Sequence, residues 1–188
     1  MKRIISLSIA IIVLISSLTA CSMNNSFKGL VKKIEKTQNY KMKISYTLEG
    51  FGKVTQIMYV EGNKNYYPEN DTLGYDEYYT EEIDDYIIEY RKDYDDKWKK
   101  NIEENDGDDD LSLEENDIWN LDNYDKDGKN VYVQKKNVIF DNFDNVVITV
   151  LEDSLVIECT MILDLSEIEA KIIISEIGEH TIELPTVK

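Results

Sequence analysis

The sequence predicts an α+β fold, an antiparallel sheet with one helix ahead of it and a second helix in its middle. Three observations carry this. Phe27, Leu30, Val31 and Ile34 recur at the spacing of one helical face; from Tyr40 the apolar period becomes two and returns in most later segments; and clusters of glycine, asparagine and aspartate separate those segments at short intervals.

Ser26 is placed to cap the first helix, and Lys28, Lys32, Lys33 and Lys36 occupy its remaining sides. That basic side is either an ordinary solvated face or one that lies against a membrane. In the first strand Tyr40, Met42, Ile44, Tyr46 and Leu48 alternate with Lys41, Lys43, Ser45, Thr47 and Glu49, which buries one side only. Gly50-Phe51-Gly52 turns the chain into a second strand through Val54, Met58 and Val60, ended by Glu61-Gly62-Asn63-Lys64. Short aromatic strands follow around residues 65–67, 75–80, 86–91 and 97–101, in the manner of a meander. Glu103 to Asp110 reads as a loop, because like charges at that density repel. Ser112-Leu113-Glu114-Glu115 has the form of a capping box and starts the middle helix, with Leu113, Ile118, Trp119 and Leu121. Strands then close the chain. One covers residues 131–135, a hairpin joins 146–151 to 155–163 around Glu152-Asp153-Ser154, and another joins 168–175 to 180–184 around Ile177-Gly178-Glu179 before Pro185.

At the N-terminus Lys2 and Arg3 precede an apolar and small-residue run from Ile4 to Ala20, the plan of a secretory signal. The run ends in Leu18-Thr19-Ala20-Cys21, which resembles the lipobox of bacterial prolipoproteins. That resemblance implies cleavage between Ala20 and Cys21, a diacylglyceryl group on Cys21, and anchorage at the extracytoplasmic face of the cell membrane. The alternative, an uncleaved membrane helix, needs about 20 apolar residues, and this run is shorter. The expected organisation is therefore a signal at 1–20, a lipidated tether at 21–25 and a single domain at 26–188. Two acyl chains hold where one is marginal, at roughly 0.8 kcal/mol per buried methylene.

Without its first 20 residues the chain keeps 168, enough for one domain, and carries 19 basic against 38 acidic residues, a formal charge of −19. Such a surface repels the phosphates of nucleic acid. With Cys21 acylated, Cys159 is the only thiol, so no intrachain disulfide forms.

The order of elements, the lipobox and the C-terminal pattern Ile174-Ser175-Glu176-Ile177-Gly178, Ile182-Glu183-Leu184-Pro185 together resemble the LolA and LppX type of lipoprotein over about residues 26–186. The resemblance implies a strongly curved antiparallel sheet, an incomplete β-barrel, whose concave face is covered by the helices and can hold acyl chains or another apolar ligand. The acidity of the chain and its aspartate-rich loop depart from that pattern. In such a half barrel the inward set is Met42, Ile44, Tyr46, Leu48, Val54, Met58, Val60, Ile148, Val150, Leu155, Ile157, Met161, Ile172 and Ile174, facing Phe27, Leu30, Val31 and Ile34. Alternation specifies a buried face without saying what fills it, so these residues are either plain core or the lining of a ligand cavity.

Catalytic candidates are few. His180 is the sole histidine and falls in register with Ile182 and Leu184; Cys159 shares the alternation of Leu155, Ile157 and Met161, the setting of an inert packed thiol. No second histidine exists for a metal site or a conventional triad, and no glycine loop cradles phosphate. Asn123, Asp125, Asp127 and Gly128 match the first half of a calcium loop, but Gln134 stands where a bidentate glutamate is needed; Asp106, Asp108 and Asp110 have the spacing without the glycine. A tight turn and a solvated loop account for both, and no metal or cofactor is expected. Thirteen tyrosines, among them Tyr66-Tyr67, Tyr75, Tyr78-Tyr79, Tyr86, Tyr90 and Tyr94, suit either an ordinary strand surface or a face for a protein or cell-wall partner. The function expected is non-enzymatic: a membrane-anchored lipoprotein that binds or carries an apolar ligand, with surface recognition through the acidic, tyrosine-rich face as the alternative.

Overall fold

The computed structural model describes residues 26–48, 50, 52–105, 117–163 and 166–187. The lipobox, Asp106 to Asp110 and the capping box at Ser112 lie outside them.

Helix α1 is Phe27–Thr37. The Ser26 hydroxyl accepts from the Gly29 N–H at 3.1 Å, satisfying one of the donors that a helix start leaves without a partner. At the other end Gln38 turns left-handed, φ +45°, and its N–H bonds to the Ile34 carbonyl. Phe27, Leu30, Val31 and Ile34 are all buried, as their spacing predicts.

The strands are β1 (Asn39–Leu48), β2 (Gly52–Glu61), β3 (Lys64–Tyr67), β4 (Tyr78–Ile83), β5 (Tyr86–Lys92), β6 (Trp98–Glu104), β7 (Tyr124–Lys126), β8 (Val131–Gln134), β9 (Phe143–Val150), β10 (Leu155–Leu163) and β11 (Ser166–Ser175). They form one eleven-stranded sheet in the order β6-β5-β4-β3-β2-β1-β11-β10-β9-β8-β7, which does not close on itself. Every pairing is antiparallel. Two meanders thus run outward from a junction where β1 meets β11, Met42 opposite Ile174 and Ile44 opposite Ile172.

Register carries the one-sided pattern across the strands. Leu155, Ile157, Cys159 and Met161 of β10 lie opposite Ile174, Ile172, Ala170 and Ile168 of β11, so their side chains share the face on which α1 packs. Ile148, Val150 and Phe143 of β9 extend that core. Fully burying one such side chain stabilises by about 1.5–3 kcal/mol. Between Glu158 and Thr160 the β9 register slips, with Asn145 at φ +53°. Gln134 answers the irregularity: its Oε1 accepts from the Val146 N–H at 2.8 Å while its Nε2 donates to the Val138 carbonyl at 3.0 Å.

Three expectations need correction. Of the expected middle helix, the described part is a turn over 117–119 and a single 3-10 turn, Leu121–Asn123; no second α-helix stands among the described residues. Asn120 accepts from the Asp122 N–H at 3.1 Å and Asn123 donates to the Asp117 carbonyl at 3.1 Å, local bonds that compete with a helical ladder. Residues 180–184 form no strand. With β11 already flanked by β1 and β10, no edge is left beside it; the segment is held instead by the Asn39 amide, which donates to the His180 carbonyl at 2.6 Å, and by the Glu61 carboxylate, which accepts from the Ile182 N–H at 2.6 Å. Finally, Glu103 and Glu104, read as the start of the acidic loop, are the last residues of β6, where neighbouring side chains point to opposite faces and their charges are kept apart; Tyr124–Lys126, to which the sequence assigned no element, is a short edge strand.

Candidate ligand cleft

Helix α1 covers the sheet unevenly. Over β9, β10 and β11 the covered face is buried except at Ile168 near the start of β11, but its continuation onto β1 and β2 is half-buried at Tyr40, Met42, Ile44, Gln56 and Met58. A cleft of about 520 Å³ opens there, within the range of small-molecule sites.

Its floor is apolar. Register places Met42 opposite Met58 and Ile44 opposite both Gln56 and Ile172, while Phe143 and Met161 reach it from the main core. Ile34 and Gln38 at the end of α1 form one wall and Trp119 another. Three methionines, Met42, Met58 and Met161, give the surface unbranched side chains that adapt to irregular shapes. The rim is polar: Gln38, Asn63, Asn65, Tyr67 and Glu82. Two rim amides are already engaged, Asn63 donating to the Glu82 carbonyl at 2.7 Å and Asn65 to the Thr80 hydroxyl at 3.3 Å. Glu82 is the one charged side chain in the lining and is acidic, so the mouth suits a neutral or cationic head better than an anionic one.

Of the apolar face read from the sequence, Ile34, Met42, Ile44, Met58, Val60, Met161 and Ile172 line the cleft. Phe27, Leu30, Val31, Ile148, Val150, Leu155, Ile157 and Ile174 fill the core beneath the helix instead. Val54 is fully buried, while Tyr46 and Leu48 are half-buried. Sequence reasoning missed Tyr40, Gln56, Trp119, Phe143 and the polar rim. Gln56 did leave a signal, a polar residue at an inward position between Val54 and Met58. Trp119 and Gln38 reach the cleft from other parts of the chain and left none.

The remaining candidates occupy structural positions. His180 Nε2 lies 3.1 Å from the Val60 carbonyl, which can only accept, so Nε2 holds the proton; the ring also meets Tyr59 edge-on at 5.2 Å. It fastens the C-terminal segment to β2. Burial, helped by the nearby Glu169 carboxylate, pushes the Cys159 thiol up to about 12. We therefore expect Cys159 to resist alkylation at pH 8 in the native protein and to react on unfolding, as a timed thiol assay would show. The sign follows: above the ordinary thiol pKa the unfolded chain ionises first, so this group lowers stability as pH rises toward 12.

Among the described residues, no three carboxylate, imidazole or thiol side chains gather as a metal site. Asp125 and Asp127 are exposed on the β7–β8 hairpin, and the Asn123 amide is committed to Asp117. Asp106, Asp108 and Asp110 lie outside the described residues.

Consecutive tyrosines point to opposite faces of a strand, so they build two stacks. Tyr59, Tyr66 and Tyr79 stack on the face away from α1 at 5.8 and 4.7 Å; Tyr67 and Tyr78 stack on the cleft side at 4.3 Å, with the Arg91 guanidinium 4.4 Å above Tyr78. Burial raises Tyr66 and Tyr78 to about 12, and the hydrogen bond from the Tyr66 hydroxyl to Glu77 adds to the former. A second, polar hollow of about 640 Å³ lies beside Tyr66, lined by Glu69, Asp76, Glu77, Asp93 and Asp96. Lys92 crosses it, 3.0 Å from Glu77 and 3.7 Å from Asp96. Its charge makes it a poor place for an apolar ligand. No family model, curated protein or solved structure matches this chain, so the cleft's own geometry is the guide to what it does.

Proposed function

We propose that this chain is an extracytoplasmic lipoprotein of the LolA and LppX half-barrel type, lipidated at Cys21, which binds or carries an apolar molecule in the cleft between α1, β1 and β2. The observation that carries the reading is the half-buried floor of Met42, Ile44 and Met58 beside a fully buried core. A sheet face meant only as core has no reason to leave its central strands partly uncovered. An acyl chain or similar hydrophobe supplies the missing cover, with its polar end at the polar rim.

The ligand is tested by extracting protein purified without detergent and identifying bound hydrophobes by mass spectrometry. A stoichiometric lipid or other hydrophobe supports the reading; repeated empty extracts, with no uptake of an added fatty acyl probe, overturn it. The anchor has its own test. Cys21→Ser is expected to abolish incorporation of labelled fatty acid and to release the protein from the membrane fraction, because one residue bears both acyl chains. Unchanged labelling would end the lipoprotein assignment.

A further inference from the structure

We infer that β6 is a docking edge for a second copy of this chain, which adds its own β6 antiparallel about a two-fold axis through Asn101. It is independent of what fills the cleft.

The edge is open. β6 pairs with β5 on one side, and among the described residues no strand pairs with its other side. Trp98 is half-buried and the rest of the strand is exposed, with Ile102 at 57%. An exposed edge of this length is a template for another strand unless something opposes the pairing.

Charge decides which strand it accepts. The first half of β6 is basic at Lys99 and Lys100, and the second half is acidic at Glu103 and Glu104. In parallel register two copies set lysine on lysine. With the two-fold at Asn101, each Lys99 lies opposite the other copy's Glu103, Lys100 opposite Ile102, and Trp98 opposite Glu104, so all seven residues of the strand are paired. Facing partners also share a face. Lys99 and Glu103 lie opposite Arg91 and Ile87 of β5, on the cleft side, whereas Lys100 and Ile102 lie opposite Tyr90 and Ile88, on the far side. The diagonal neighbours of Ile102 then become the second copy's Ile102 and Trp98, which cover an isoleucine that one copy leaves in water. Existing contacts survive: Lys99 is ion-paired with Asp93, and the Asn101 amide donates to Glu103 at 2.6 Å, which holds that carboxylate on the edge.

Full-length protein on membranes of the producing cell tests this. Asn101→Cys, on the axis, is expected to give a reducible disulfide dimer under mild oxidation, whereas Asp153→Cys, exposed on the β9–β10 turn, is not. Adding Lys99→Glu should cut the Asn101→Cys yield by about tenfold by setting carboxylates together, and Glu103→Lys on top of it should restore the yield. Equal cross-linking from both cysteine positions, or no loss with Lys99→Glu, would overturn the proposal.

Discussion

Phe27→Ala is expected to destabilise the protein by about 3–5 kcal/mol, read as a fall in the urea midpoint. Phe27 is 1% exposed, and its ring meets Tyr124 edge-on at 6.0 Å and Tyr132 at 5.2 Å. It is the first residue of α1 and fastens the start of that helix to β7 and β8, at one edge of the sheet. Truncation loses the burial of the ring and leaves a cavity that the surrounding strands, held in register by their ladders, fill only in part. Lys32→Ala, on the exposed side of the same helix, should move stability by no more than about 0.5 kcal/mol. A loss below about 1 kcal/mol for Phe27→Ala would mean that the helix does not hold the core closed.

Met58→Trp should have the largest effect on ligand retention. Met58 lies opposite Met42 on the cleft floor and is half-buried, so a bulkier side chain there occupies space that a ligand would take. Retention of an apolar fluorescent probe is expected to fall by at least about tenfold, with the urea midpoint almost unmoved. In a closed core the same change overpacks the site and costs about 1–3 kcal/mol, so one variant separates an open cleft from a plugged one. Ile57→Trp, one position earlier on the opposite face of β2, should leave probe binding unchanged.

Much of the architecture could be read locally. The spacing of Phe27, Leu30, Val31 and Ile34 predicts the helix and its buried side, and both are found. The alternation from Leu155 to Met161 predicts which side of β10 meets the core, because strand side chains point alternately to the two faces. Residues 180–184 alternate equally well and make no strand, since pairing needs a free neighbour and alternation does not report one. Ile118 was expected on a helix and is buried from a turn, where the Tyr124 hydroxyl donates to its carbonyl at 2.9 Å. Its hydrophobicity demanded burial without demanding a helix.

Taken alone, then, the amino-acid order determined which residues avoid water and on which side of each element they lie, because rotation per residue is a local property of the backbone. Only the tertiary structure decided what covers them. Insertion of β11 between β1 and β10 placed α1 over the C-terminal meander, so Ile157 and Ile174 are sealed while Met42 and Met58, equally apolar and equally alternating, line a cleft. That choice depends on contacts between residues far apart in the chain, and no local period encodes it.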